Sequence, residues 1–140
     1  MKTLILSDIH ANLTAFEAVL SDAGSFDRVW CLGDVVGYGP DPNECVALLR
    51  QQPGLRCIMG NHDAALMGYI DIHTFNEQAA RAVAIQSEML NTESRDFLEL
   101  LDIVIEEGDI TFAHGSPRDP IWEYIVNSHI ARDNFSAYQS

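Results

Sequence analysis

Basic residues are scarce in this 140-residue chain: eight lysines and arginines stand against 21 aspartates and glutamates, a formal net charge of -13. Such a surface repels nucleic-acid phosphates and anionic membranes, so strong nucleic-acid binding is not expected, and an anionic substrate needs a local source of positive charge. Cysteine is scarce too. Cys31, Cys45 and Cys57 are odd in number and lack C-x-x-C spacing, which reads as small buried hydrophobes in a reducing, cytoplasmic setting. Long apolar runs are missing: none approaches the ~20 residues of a membrane span, and the run before Asp8 is too short for a secretory signal. Repeats and low-complexity tracts are absent. What remains is 47% hydrophobic and 21% charged, the composition of one globular domain over residues 1–140 that buries roughly 68–70% of its unfolded surface.

Apolar patterning predicts alternating strands and helices. Thr3 to Leu6 reads as a buried strand, and Leu13, Phe16, Val19 and Leu20 fall at helical spacing before Gly24. Arg28 to Leu32 is the second strand. Asp41 then suits an N-cap and Pro42 the first helical position of a helix reaching Gln51. Leu55 to Met59 reads as the third strand. Helices are expected over 76–90 and 93–101, then a hairpin of 103–105 with 110–113 around Gly108, and a short helix near 121–126; the last dozen residues carry no strong period.

The chemistry-bearing residues follow the strands: Ser7-Asp8-Ile9-His10, Gly33-Asp34, Gly60-Asn61-His62-Asp63 and His114-Gly115. Singly each is weak, since a strand-end Asp often caps a helix and Gly-Asp is a common turn. In open α/β sheets, however, ligands bind where strands end, so four such ends imply one convergent site. In extended chain Asp8 and His10 would point to the same side and grip one ion. Carboxylate, imidazole and amide oxygen without thiolate suit Mn, Fe, Zn, Co or Ni. Asp34, on the central strand, is the candidate bridge between two divalent ions ~3.5–4 Å apart.

D-x-H, G-D-x-x-x-x-G, G-N-H-D and H-G, in this order, resemble the calcineurin-like metallophosphoesterase family, and GDVVGYGPDPNE (33–44) and HGSPRDPIWEY (114–124) resemble its small bacterial and archaeal phosphodiesterase-like members. The resemblance implies an α/β fold, α+β by some schemes: a β-sheet sandwich flanked by helices. It implies that Asp8 and His10 hold a first ion, that Asp34 bridges, and that Asn61 and His114 hold a second. His62 would face the substrate as an imidazolium general acid, with Asp63 orienting its ring. The activity implied is two-metal hydrolysis of phosphodiesters or small phosphorylated metabolites by a metal-bridging hydroxide. Arg118 has two readings, a phosphate contact or a salt bridge with Asp119 or another carboxylate. His73 and His129 read as surface residues.

One departure bears on all of this. The family's closing Gly-His-x-His segment has no counterpart, the last histidine being His129. The second sheet is therefore expected to lack its C-terminal part, and a homo-oligomer is expected to cover the exposed face. A rival reading is a weak or inactive metal- and phosphate-binding remnant of the family. Rossmann-type nucleotide binding fits the alternation of elements, but no G-x-G-x-x-G follows the first strand.

Overall fold

The structure, a computed structural model, describes residues 1–137. Thr3–Leu6 (β1), Arg28–Cys31 (β2) and Arg56–Cys57 (β3) form a parallel sheet in the order β1-β2-β3, with Leu6 opposite Cys31 and Cys31 opposite Cys57. Leu13–Ala23 (α1) and Pro42–Arg50 (α2) make the crossovers. Phe16, Val46 and Leu49 turn from these helices into the core beside Val29 and Cys31. β2 is central, as expected.

Asparagine starts several of the helices. Asn12, Asn76 and Asn91 accept backbone N–H groups three residues on, at 3.0, 2.9 and 2.8 Å, at the heads of α1, of Glu77–Met89 (α4) and of Thr92–Glu99 (α5). Between β3 and α4 lie Asn61–Leu66 (α3) and a 3-10 turn at Ile72–Thr74. The third strand is shorter than the sequence predicts. The Ile58 N–H makes the last bond to β2, donating to the Cys31 carbonyl at 3.1 Å, and from there the chain pairs with Asp102, whose carbonyl accepts the Met59 N–H at 2.8 Å.

Val104–Glu107 (β4) and Ile110–Ala113 (β5) form the expected hairpin, turning at Gly108 with φ +63°. The two sheets meet through Trp30, Ile58 and Phe112, the Trp30 and Phe112 rings packing edge-on at 4.5 Å. Outside that contact the Arg28 guanidinium lies 4.1 Å from the Trp30 ring and pairs with Glu107 at 2.8 Å. This junction brings the end of β5 beside the end of β2.

One C-terminal expectation fails. Residues 121–126 form no helix, because the chain after Pro120 completes only a turn, with the Gly115 N–H reaching back to the Pro120 carbonyl. Ser128–Ala137 (α6) is helical despite its weak period. Asn127 caps it through the His129 and Ile130 N–H groups, and buried Asn134 ties it to Glu123 and Arg118. Among the described residues no helix is long and apolar enough to cross a membrane.

Candidate metal centre

Beyond Leu6 and Cys31, where β1 and β2 end, the two chains continue side by side. The Asp8, His10 and Ala11 N–H groups donate to the Gly33, Asp34 and Val35 carbonyls at 3.0, 2.9 and 2.9 Å. These loops are not the extended chain expected of Asp8 and His10. Asp8, His10, Ala11, Asp34 and Tyr38 all have φ between +51° and +57°, a region costly for residues with a Cβ. The tight turns still deliver the pair: His10 Nε2 lies 3.5 Å from Asp8 Oδ1.

The third strand end is pressed against the second. A Cβ on Gly60 would meet Asp34 Oδ1 at 2.1 Å, and one on Gly33 would meet the Gly60 nitrogen at 2.6 Å. Glycine is what allows this approach. Behind Gly60 the chain enters α3 at once, so Asn61 and His62 diverge as neighbours on a helix rather than on an extended segment. Asn61, His62 and Asp63 are all buried.

Asp34 is the hub. Its Oδ1 accepts the His62 backbone N–H at 2.8 Å, while Oδ2 lies 3.7 Å from His10 Nε2 and 3.5 Å from His114 Nε2. Both of those imidazoles are held in one tautomer. His10 Nδ1 donates to the Val36 carbonyl at 3.1 Å and His114 Nδ1 to the Leu32 carbonyl at 2.7 Å, so each presents an Nε2 lone pair to the cluster. Asn61 Oδ1, also an acceptor, stands 2.9 Å from His114 Nε2. A proton on His114 Nε2 or a cation between the two groups would each satisfy that contact beside the buried Asp34 carboxylate. The donor set fits hard or borderline metal ions.

Two groups can each close around an ion: His10, Asp34 and His62, or Asp8, Asp34 and His114, with ligand atoms within 4.8 Å of one another. The Asp8 and His10 pair and the Asn61 and His114 pair each lie together on Asp34, and the His62 ring is near enough to join the first group.

The electrostatics follow from burial and proximity. The His10 contact, against partial burial, holds the Asp8 carboxyl down at about 2. Burial opposes charge on His10, yet Asp8, the Val36 carbonyl and Asp34 together raise it above the ordinary imidazole value. Burial pushes the Asp34 carboxyl up, with the facing histidines pulling the other way.

Two expected roles need correction. Asp63 does not orient the His62 ring: its carboxylate accepts from the Asp34, Val36 and Gly60 N–H groups at 2.8, 3.1 and 3.0 Å. It is a brace between the β2 turn and the head of α3, and burial and Asp34 push it up to about 7. The imidazolium form expected of His62 is opposed by its surroundings: burial and the neighbouring His10 and His114 hold it down at about 4. Its buried Nδ1 has no hydrogen-bond partner among the described residues.

Arg118 takes the salt-bridge reading. Its guanidinium pairs with Glu123 and, at 3.6 Å, with Asp133 rather than with Asp119. His129 is exposed and lies 3.7 Å from Asp133. His73 is exposed in the middle of the 3-10 turn, its N–H donating to Asp71.

Sequence reasoning missed the rings around the site. Tyr38 packs 4.9 Å from His10 and 4.7 Å from His62, and Phe75 packs 4.9 Å from His62 and 5.1 Å from Trp122. Gln86 was missed as well: from α4 it accepts the Gly37 N–H at 2.7 Å and donates to the Gly39 carbonyl at 2.5 Å. The glycines flanking Tyr38 were the available signal. Beside Asp8 and His10 a cavity of about 460 Å³ opens between Ile9, Phe16, Val19 and Tyr38.

The family model described as calcineurin-like phosphoesterase matches residues 1–138. The chain belongs to the calcineurin-like phosphoesterases. It is similar to a metallophosphoesterase from Sphaerobacter thermophilus, with 49% identity and a TM-score of 0.87, over 100% of this chain and 57% of that one. An uncharacterised protein of Methanocaldococcus jannaschii is 38% identical over 90% of this chain and 54% of its own length. A symmetrical bis(5'-nucleosyl)-tetraphosphatase of Proteus mirabilis is 27% identical over 95% and 50% respectively. The chain thus spans about half the length of the curated relatives it matches.

Proposed function

We propose that this site hydrolyses phosphodiesters or small phosphorylated metabolites with two divalent cations, Mn, Fe, Zn, Co or Ni, held on either side of Asp34. One observation carries the reading: Asp34 Oδ2 stands between two imidazole Nε2 atoms, 3.7 and 3.5 Å away, whose tautomers the backbone fixes. Asp8, His10, Asn61 and His114 complete the set. Cations so held would draw charge from the phosphoryl oxygens and lower the pKa of water, and so let an acidic protein take an anionic substrate.

The protein's own groups do the rest. Asp34 fixes the spacing between the imidazoles, and the Gly33 and Gly60 backbones lock it. His62, neutral in the free site, takes up a proton as phosphate charge arrives beside it and passes that proton to the departing oxygen. Asp63 keeps the β2 turn and α3 in register. The name of the Proteus relative supports a small phosphorylated nucleotide as one substrate class. Three unpaired, buried cysteines suit a cytoplasmic setting. Self-association is proposed on the exposed apolar side chains Ile5, Ile103 and Ile110; a monomer by light scattering at micromolar concentration would reject it.

The second reading, metal and phosphate binding without turnover, is favoured by the His62 ring, whose buried Nδ1 has no hydrogen-bond partner among the described residues and whose surroundings oppose its charge. Mn-dependent hydrolysis of bis(p-nitrophenyl) phosphate, with His62→Ala and Asp34→Asn as controls, decides between them. Turnover abolished by both substitutions supports the enzyme. Bound Mn without turnover supports the binding module, and turnover that survives both substitutions identifies a contaminant.

A further inference from the structure

Tyr38 is an unusual residue for its place. It sits in the left-handed region with φ +56° between two glycines, and the residue is 48% exposed although its ring touches both His10 and His62. A non-glycine residue held there by its surroundings marks a position whose side chain is needed. Gln86 supplies the restraint. Its buried amide satisfies both the Gly37 N–H and the Gly39 carbonyl, one on each side of Tyr38. Gly37 in turn leaves room for the His62 ring, which a Cβ would meet at 2.4 Å.

From Tyr38 the ring contacts run on through His62 and Phe75 to Trp122, which is half-buried on the loop after β5. The one arginine of that loop is occupied by Glu123 and Asp133. The walls beside the cluster thus offer π-faces where a phosphate-gripping site often offers cations.

If the site takes phosphoesters as proposed above, we infer that Tyr38 is the substrate-facing platform on which a flat aromatic group attached to the phosphorus stacks, and that Gln86 is its positioning residue. Both an aryl ring and a nucleobase present the required π-face.

Calorimetric titration of the Mn-loaded protein tests this without relying on turnover. Two ligand pairs differ only in the flat group: phenylphosphonate against methylphosphonate, and adenosine 5'-monophosphate against ribose 5-phosphate. The ring-bearing member is expected to bind about tenfold tighter in at least one pair. A preference in the first pair alone assigns the platform to small aryl groups, and one in the second extends it to nucleobases. The preference should persist in Tyr38→Phe and fall to about onefold in Tyr38→Asn, a residue that tolerates left-handed backbone. Gln86→Met, which removes both hydrogen bonds, should reduce it about threefold while methylphosphonate affinity holds.

Equal affinity within both pairs overturns the inference and leaves the phosphoester reading intact. A preference that survives Tyr38→Asn overturns the assignment to Tyr38. Failure of every ligand to bind overturns both.

Discussion

The first 66 residues and the last 38 described ones, 100–137, contribute to the same centre by different means. In the first region, strand ends lie backbone to backbone: Asp8 and His10 hydrogen-bond across to Gly33 and Asp34, and Gly60 touches Asp34. Four of the five proposed ligand residues and the Asp63 brace come from there. The second region contributes His114 alone, delivered by the hairpin that Phe112 seats on Trp30 and held by the Leu32 carbonyl, and beyond it the framework is polar: Glu123 gathers Ser116, Arg118 and Asn134. Backbone packing fixes a site rigidly but tolerates no added atom. A side-chain network, such as the one that holds the chain after His114, yields more gradually.

The largest expected effect falls on the hub. Asp34→Asn should reduce Mn affinity or turnover by more than about 100-fold, exceeding what loss of a ligand's supporting partner usually costs. His114→Ala should be milder, with a loss of about 10- to 100-fold and one equivalent of Mn retained in a calorimetric titration. Equal losses in the two variants would erase the distinction between the regions. Gly60→Ala forces a methyl onto the Asp34 backbone and should destabilise the fold by about 1–3 kcal/mol, read as a lowered urea midpoint. Smallest is Asn134→Ala, about 1 kcal/mol, because it frees hydrogen bonds at α6 without touching the first region. A larger loss than that of Gly60→Ala would show that the polar framework carries the fold.

The same contrast explains what was legible in the sequence. The strand-helix alternation through Arg50 could be read because buried Val29, Val46 and Leu49 recur at the periods of their elements. The strand ends could be read because carboxylates and imidazoles behind apolar runs have few other uses. α6 could not, since Asn127 and Asn134 hold it and polar contacts leave no period. Asp63 was misjudged because backbone N–H groups are invisible in a list of side chains, and His62 because proximity to two other imidazoles is a tertiary fact. Tyr38 and Gln86 lie 48 positions apart and meet only through the backbone on either side of Tyr38.

Anomalous diffraction from crystals of the Mn-loaded protein tests the central claim most directly. Two peaks flanking the Asp34 carboxylate, ~3.5–4 Å apart and within bonding distance of His10 and His114 Nε2, are the predicted result. Ions bound only at surface carboxylates, or an ordered Asp34 with no metal beside it, would contradict it.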